Sequence, residues 1–292
     1  MHLDAHLVAG IISGALTSLV LHPLDVLKVR FQVQDGVVNS IRYRTLVGAI
    51  KDVWLSEGVA GFYRGVVPAL WGSSASWGLY FYFYESCKRR MGGGGGGEGG
   101  VRLSSTQHAY AAWEAGTITS LFTNPIWLVK TRMQLQTGAT VAPYSSMTHA
   151  LSSILREDGI PGLYRGIIPA LFLTLHGVVQ FVVYEHLKAG PLGTSDGGVF
   201  SAGLVSKVAA ATITYPYPVA KSRLQQRFSQ GEAQYKGLWD CIQKTWAKEG
   251  AGGFYKGFTA NILRVAPSSA LTLLAYERIK QRVDVLNESL LK

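Results

Sequence analysis

The sequence carries little charge for its length. Of the 292 residues only 16% are Asp, Glu, Lys or Arg, and 48% are hydrophobic. Soluble domains usually contain about a quarter charged residues. Three windows, residues 5–24, 65–84 and 166–184, contain no charged residue. Each window is long enough to cross a hydrocarbon core of about 30 Å as a helix. The composition therefore favours an all-α membrane protein.

Cysteine and targeting signals are also scarce. Cys87 and Cys241 are the two cysteines, too few and too far apart for a disulfide framework or a zinc site. The N-terminus has His2 and Asp4 where a secretory signal would be cationic. An Arg-rich amphipathic presequence is missing as well. We therefore expect any targeting information to be internal.

Enzyme and nucleic-acid signatures are missing. The seven histidines form no His-Glu-x-x-His pattern or ligand-spaced cluster. The glycine run at 92–100 follows a helical pattern without a strand signal, which indicates a flexible loop and not a phosphate-binding turn. The net charge is +10, yet no basic run of 5–8 residues is present. We expect no enzyme activity, cofactor, metal or nucleic-acid partner, and the charge favours anionic solutes.

A threefold repeat organises the chain. The first element is PLDVLKVRFQ from Pro23, PIWLVKTRMQ from Pro125 and PYPVAKSRLQ from Pro216. A second element pairs an acidic residue and glycine with a downstream aromatic-basic-glycine triplet, and a third reads Tyr-Glu-x-x-Lys. The prolines are spaced by 102 and 91 residues, and the triplet glycines by 101 and 91. Separate elements with one spacing indicate internal repeats.

Each unit is predicted to contain two spanning helices joined by a loop with a short amphipathic helix. The units are 1–91, 105–190 and 198–292, with a Gly-rich linker at 92–104 and a second linker at 191–197. The predicted spanning helices are 7–33, 66–89, 106–136, 167–188, 198–226 and 258–283. A proline kinks the first helix of each unit, as membrane helices tolerate. The result is a pseudo-threefold bundle of six transmembrane helices.

Basic residues concentrate on one side of this topology. The within-unit loops, counted from motif lysine to triplet basic residue, hold 17 of the 28 Lys and Arg residues. The between-unit loops hold five. The positive-inside tendency places the within-unit loops in the cytoplasm-equivalent compartment, with both termini on the opposite side.

The three repeated elements resemble the mitochondrial carrier family over essentially the whole chain. The resemblance implies a monomer that alternates between two open states around a central site. It places the within-unit loops in the mitochondrial matrix, and we call the two ends of the bundle the matrix end and the cytoplasmic end. It implies the inner mitochondrial membrane, or alternatively a chloroplast envelope. It also implies cardiolipin bound at helix N-termini, at Gly58, Gly65, Gly159, Gly166, Gly250 and Gly257.

The resemblance further implies a gate at each end. The matrix gate corresponds to Asp25, Lys28, Trp127, Lys130, Lys221 and the brace residues Gln32, Gln134 and Gln225. The cytoplasmic gate corresponds to Glu85, Lys88, Glu185, Lys188, Glu277, Lys280 and the brace residues Tyr84, Tyr184 and Tyr276.

The matrix gate departs from the family pattern. Each unit should provide an acid and a base that pair around the ring. The acid position holds Asp25 in the first unit but Trp127 and Pro218 in the others. Only Asp25 and Lys130 can pair there, so the remaining motif lysines lack their acidic partners: Lys28 and Lys221.

All three ion pairs are available at the cytoplasmic gate. Because an exposed ion pair contributes only about 0–1 kcal/mol, the difference is a modest bias. We predict that the matrix gate opens more easily than the cytoplasmic gate. In the alternative, Trp127 packs and holds the matrix gate through buried area.

Three ionisable residues lie at membrane depth outside the repeated elements: Glu114, Lys207 and Arg264. A charge there costs about 2.5–3.5 kcal/mol on insertion scales, so each should face a water-filled cavity or a partner. Each occurs in one unit only, as expected for residues that bind an asymmetric solute. We predict that Arg264 and Lys207 bind carboxylates or phosphates. The alternative is that Glu114 and Lys207 pair with each other.

Other candidate substrate-binding residues are aromatic or lie at positions that match the family's contact points. We predict that Trp71, Trp77 and Tyr80 stack an aromatic ring of the solute. We also predict that Gly72 leaves space for this ring. Packing is the alternative for the tryptophans, and a hydrogen-bonded core position is the alternative for His176. The set is Trp71, Gly72, Ser73, Trp77, Phe172, Leu173 and His176.

The element around Trp127 is similar to carriers of large nucleotide-like or pterin-like solutes. Several further stretches are most like the folate and FAD members. Folate is therefore the first candidate cargo, followed by FAD and then by NAD or pyrimidine nucleotides. A flavin or folate would be cargo and not cofactor. A proton leak is the alternative from a different functional class.

Overall fold

The structure is a computed structural model that describes residues 5–34, 43, 45–92, 103–137, 143–190, 195–227 and 235–290. All regular elements within these ranges are helical, as predicted. The first unit contains α1 (Ala5–Gln32), α2 (Leu46–Phe62) and α3 (Val66–Arg90). The second contains α4 (Ser105–Gln134), α5 (Met147–Leu163), α6 (Ile167–Phe172) and α7 (Leu175–Lys188). The third contains α8 (Asp196–Thr214), α9 (Pro216–Gln225), α10 (Leu238–Glu249), a 3-10 helix (Ala251–Tyr255) and α11 (Phe258–Leu290).

Helix boundaries follow capping signals in the sequence. Ser104 and Gln107 form a reciprocal capping box at the start of α4, and Ser195 caps α8 through the backbone N–H of Gly198. The helix α8 begins at Asp196, within the last two residues of the predicted linker at 191–197; residues 191–194 lie outside the described residues. Most of the predicted Gly-rich linker, residues 93–102, also lies outside them.

Two predicted spanning helices are interrupted. The helix predicted at 167–188 is divided into α6 and α7. The helix predicted at 198–226 is divided into α8 and α9 at Tyr215, because Pro216 lacks the N–H that would continue the ladder. Pro23 and Pro125 stay inside continuous helices.

Three segments of the described chain are long and apolar enough to cross a membrane by themselves: Ile12–Gln32, Ile167–Lys188 and Gly197–Thr214. The predicted window at 65–84 is not among them, because its Gly, Ser, Trp and Tyr residues lower the mean hydropathy. It nevertheless lies in the continuous helix α3. Composition thus identifies three of the six predicted spanning helices, and the repeat pattern identifies the other three.

The spanning helices pack as neighbours around a ring. The most extensive helix contacts join α11 to α1, α3 to α4 and α7 to α8. Each of these interfaces joins the last helix of one unit to the first helix of the next. The three units therefore close on one another with the pseudo-threefold order that the repeats predict.

Each unit also has a small hydrophobic core at the matrix end. In the first unit Leu27 of α1 packs with Val53 of α2. In the second, Leu128 packs with Ile154, and in the third Leu224 packs with Cys241. These cores attach α2, α5 and α10, which we call the matrix helices, to the ends of the proline-containing helices. The ends that carry the repeated motif are therefore held in place.

Candidate substrate site and gates

The matrix end contains the ion pair that the sequence predicts. Lys130 of α4 donates to Asp25 of α1. Gln134 also donates to this carboxylate, with 3.0 Å between its Nε2 and Oδ2 of Asp25. The ammonium of Lys130 lies 5.4 Å from the ring centroid of Trp127. The junction between the first and second units is therefore joined by charge and by an amide.

At the other two junctions, the brace glutamines accept neutral hydrogen bonds from hydroxyl groups. Thr131 of α4 donates to Oε1 of Gln225 at 2.9 Å. Ser222 of α9 donates to Oε1 of Gln32 at 2.7 Å, and the Gln32 amide donates to the Tyr215 hydroxyl at 3.3 Å. All three brace glutamines are fully buried. Hydroxyl–amide bonds thus close the ring where acids are missing.

Three buried arginines tie this ring to the matrix helices. Each lies two residues after a motif lysine. Each donates to the backbone carbonyl oxygen of a brace glutamine in another unit, as Arg223 does to Gln32 at 3.0 Å. Each also pairs with an acid of its own unit, as Arg223 does with Glu249 at 2.7 Å. The complete pairs are Arg30–Glu57, Arg132–Asp158 and Arg223–Glu249.

Glu249 of the third pair is stabilised as a carboxylate. Burial opposes ionisation of Glu249, but hydrogen bonds from Arg223 and Lys256 outweigh it and lower the pKa of Glu249. At half-buried Asp240 in α10, the hydrogen bond from Lys244 lowers the pKa of the carboxyl. Glu249 and Asp240 therefore stay ionised at neutral pH.

The predicted lipid-binding glycines occupy left-handed backbone positions. Gly65, Gly166 and Gly257 have φ of 76°, 76° and 79°. A Cβ at Gly166 would approach the Lys221 carbonyl oxygen at 3.2 Å, and one at Gly257 would approach that of Lys28 at 2.8 Å. The glycines that follow the acids are also left-handed. These geometries require glycine whether or not lipid binds.

The cytoplasmic end is held differently. Glu85 pairs with Lys88 on its own helix, 2.9 Å away, and Lys88 lies over the Tyr84 ring. Tyr84 bonds to Nδ1 of His108 at 3.0 Å. Over the ranges described above, none of the predicted cross-helix pairs forms: Glu85–Lys188, Glu185–Lys280 and Glu277–Lys88. The structure therefore shows a state that is closed at the matrix end and lacks the predicted gate ion pairs at the cytoplasmic end.

Arg264 approaches the matrix gate. Its Nη1 lies 3.6 Å from Oδ1 of Asp25, and its Nε is buried with no hydrogen-bond partner among the described residues. The sequence predicted that Arg264 binds the solute, and the structure places it beside the gate carboxylate as well. Lys207 of α8 lies within electrostatic range of Arg264. The two predicted cations therefore belong to one region.

Glu114 does not belong to that region. It pairs with Arg90, the last residue of α3, so it lies level with the cytoplasmic end of that helix and not near mid-membrane. The predicted alternative of a Glu114–Lys207 pair is wrong, because residue spacing along a helix does not identify the partner on a neighbouring one. The Glu114–Arg90 pair joins α3 to α4.

The predicted space at Gly72 is occupied. A Cβ there would meet Ile126 Cγ2 at 3.2 Å and the Trp127 ring at 3.4 Å. The Trp127 indole donates to Ser76 at 3.2 Å. Gly72 therefore allows close packing of α3 on α4, and the prediction that it leaves room for a ring is wrong. Trp127 does pack, but against α3.

The remaining aromatic candidates are distributed along the bundle. Trp71 and Trp77 are exposed, and Trp77 stacks on Phe81. Phe172 stacks on Tyr217 with 5.2 Å between ring centroids. Leu173 follows Phe172 at the break in the second helix of that unit, and Ser73 follows Gly72 in α3.

His176 joins α7 to α8. Its Nδ1 lies 2.9 Å from the Thr214 hydroxyl, which agrees with the alternative of a hydrogen-bonded core position.

Several structural partners were missed at the sequence level. Thr131 and Ser222, which complete the ring, have no repeat signal. By contrast, the three buried arginines recur at one offset, which could have identified them. The residue before each motif proline also recurs in role: His22, Asn124 and Tyr215 each donate to a backbone carbonyl near the triplet glycine. Their different side chains hide this equivalence.

Three helix pairs that repeat around one axis, with spanning helices and basic loops at one end, define a three-repeat membrane carrier. The chain belongs to the mitochondrial carrier protein family: the family's model matches residues 2–95, 101–192 and 196–284.

Characterised relatives cover nearly the whole chain. One is the chloroplastic folate transporter 1 of Arabidopsis thaliana, 41% identical over 290 residues, covering 93% of this chain and 92% of the relative. A second is the chloroplastic nicotinamide adenine dinucleotide transporter 1 of the same plant, 35% identical, with 93% and 89% covered. A third is the mitochondrial FAD carrier protein of Saccharomyces cerevisiae, 31% identical, with 96% and 97% covered. These names place the family in membranes of mitochondria and chloroplasts.

Proposed function

We propose that this chain transports folate by alternating access and catalyses no reaction. The similarity to a folate transporter over nearly the full length of both chains carries the choice of cargo. Folate combines an aromatic bicycle with carboxylates. Its carboxylates suit a bundle whose interior contains several cationic side chains. The proposal includes a monomer of three units, 1–91, 105–190 and 198–292, in the mitochondrial inner membrane or, alternatively, a chloroplast envelope.

The second candidate cargo is FAD, and the third is NAD. Relatives that carry these names are 31% and 35% identical to this chain. Both dinucleotides carry a diphosphate and aromatic rings, so they share the chemistry of an anion beside a planar system. Arg264 is the residue we assign to the anionic group in every case, because its guanidinium can bind carboxylate or phosphate through two donors.

Reconstituted uptake tests this proposal. Proteoliposomes with the purified chain should accumulate labelled folate faster than FAD, NAD or pyrimidine nucleotides. Vesicles without solute should show no proton conductance above that of protein-free vesicles. Uptake of FAD but not folate would transfer the assignment to the second candidate. Proton conductance without solute uptake would overturn the carrier proposal.

A matched pair of variants tests the role of Arg264. Arg264→Ala should reduce uptake at least about tenfold, because a charge-assisted hydrogen bond is worth about 1.5–3 kcal/mol. Arg278→Ala is the control, since Arg278 is exposed on the same helix. Full uptake by Arg264→Ala would remove Arg264 from the site.

The proposal also includes cardiolipin at the triplet glycines. Gly65 and Gly166 are the N-cap residues of α3 and α6 and have no side chain to cap them, which leaves first-turn amides available to phosphate. Surface grooves support this placement: one is lined by Gly166, Ile167 and Lys236. Cardiolipin should raise the unfolding temperature of detergent-purified protein more than a zwitterionic lipid does, and equal effects would contradict the assignment.

A further inference from the structure

The cations near the matrix gate outnumber the acids. Lys28 lies within electrostatic range of Arg264, Lys130, Lys221 and Asp25, so these five residues form one group, which we call the floor cluster. It contains four cations and one carboxylate. Lys207 adds a further cation beside Arg264.

The single carboxylate is fully used. Asp25 binds Lys130, accepts from Gln134 at 3.0 Å and has Arg264 at 3.6 Å. Over the described ranges, neither Lys28 nor Lys221 has a carboxylate within ion-pair distance. Both side chains are half-buried. Among the described residues, the floor cluster therefore holds two lysine side chains that form no ion pair with a carboxylate.

The repeat explains where this excess comes from. The acid position that Asp25 occupies in the first unit holds Trp127 and Pro218 in the other two. Trp127 packs on α3 and bonds to Ser76, and proline carries no charge. The ring is closed at these junctions by hydroxyl–amide bonds. Two carboxylates are thus missing from the ring, while both lysines remain.

Unneutralised lysines at membrane depth are costly, and proteins retain them where they serve a solute path. We propose that Lys28 and Lys221 form an anion subsite and that the cargo supplies the two negative charges that the ring lacks. The cargo class is accordingly a molecule with at least two anionic groups, such as a dicarboxylate or a diphosphate. This inference rests on the proposed carrier function and extends it by assigning two gate lysines to the cargo.

Simple anions are suitable probes of this subsite. Binding to detergent-purified protein is measured by the shift of the unfolding temperature with inorganic pyrophosphate and with methyl phosphate as the weaker-charged comparison. The wild-type protein should bind pyrophosphate at least about tenfold more tightly than methyl phosphate. The double variant Lys28→Gln/Lys221→Gln should lose at least about tenfold in pyrophosphate affinity. It should change little in methyl phosphate affinity.

Matched controls separate this role from a structural one. Lys51→Gln/Lys248→Gln removes the same residue type from exposed positions of α2 and α10 and should leave pyrophosphate binding unchanged. Lys28→Arg/Lys221→Arg should retain binding. Without ligand, the double glutamine variant should unfold at the same or a higher temperature, because it removes mutual repulsion. A lowered unfolding temperature together with unchanged pyrophosphate affinity would show a purely structural role and overturn the inference.

The outcome for this inference is distinguishable from that for folate transport. If pyrophosphate binding depends on both lysines but no folate enters proteoliposomes, the subsite stands and the folate proposal fails. If folate is transported and the double glutamine variant takes it up at the wild-type rate, the folate proposal stands and the subsite is wrong.

Discussion

The two ends of the bundle are built from the same three repeats but are closed by different means. At the matrix end, the Asp25–Lys130 ion pair, three buried brace glutamines and three buried arginines join the units. At the cytoplasmic end, Glu85 pairs within its own helix, and the Arg90–Glu114 ion pair joins only the first unit to the second. The same repeated motifs therefore form different sets of contacts between units at the two ends. The contacts in this state are concentrated where the chain has replaced two acids by neutral groups.

The comparison predicts that stability depends on the matrix end. The largest effect is expected for Arg223→Ala. Arg223 is fully buried, pairs with Glu249 and donates to Gln32, so its loss leaves a buried carboxylate uncompensated. We expect a loss of about 3–5 kcal/mol of unfolding free energy. Chemical denaturation in detergent measures it, with Arg227→Ala, which removes a more exposed pair with Glu157, as the control. Equal effects would remove the distinction.

A smaller loss is expected for Asp25→Asn. The change removes the only acid of the floor cluster and leaves Lys130 and Arg264 repelling each other. We expect a loss of about 2 kcal/mol, less than at Arg223 because the site is partly solvated. The same denaturation experiment measures it. Glu85→Gln, at the cytoplasmic end, should not move the unfolding midpoint measurably. A larger effect for Glu85→Gln would reverse the comparison of the two ends.

Backbone geometry at the matrix end gives a still smaller effect. Gly166→Ala places a Cβ 3.0 Å from Gln225 Cγ at φ 76°. Left-handed strain and crowding should lower stability by about 1–3 kcal/mol. Gly203→Ala has open space in α8 and should be neutral or stabilising by up to about 1 kcal/mol. Thermal unfolding of both variants checks the contrast, and equal midpoints would contradict it.

Acid sensitivity is the mildest expected effect. Because hydrogen bonds from Arg223 and Lys256 lower the pKa of Glu249, its contribution is complete above the ordinary carboxyl range of about 4.3. It is lost as pH falls below that range, through the lowered pKa. Unfolding midpoints between pH 7 and 3 should therefore decline only at the acidic end. Glu249→Gln should be less stable at pH 7 and show a smaller decline, and an unchanged slope would argue against this origin.

Repeated features of the fold could be predicted from the sequence. The spacing of the prolines and glycines gave the unit order, and the substitution of acids by Trp127 and Pro218 predicted the single Asp25–Lys130 ion pair. These predictions depend on positions that recur, so each unit tests the others. The statement that the matrix gate opens more easily remains a prediction, because one conformation does not compare two gates.

Features that depend on helix rotation could not be predicted. Spacing placed Glu114 near mid-membrane, but its partner Arg90 is determined by how α3 lies against α4. The space beside Gly72 is occupied by Trp127 for the same reason. The hydroxyls of Thr131 and Ser222 complete the ring without any repeat signal, and small polar residues are common in membrane helices. Contacts between units therefore required the three-dimensional arrangement.

The central claim is that the unloaded carrier is open toward the cytoplasmic end and sealed at the matrix end. A single cysteine tests it most directly: Lys28→Cys in a background with Cys87→Ser and Cys241→Ser, treated in oriented proteoliposomes with a membrane-impermeant maleimide. We expect rapid labelling from the cytoplasmic side and none from the matrix side. Labelling from the matrix side, or from neither side, would contradict it.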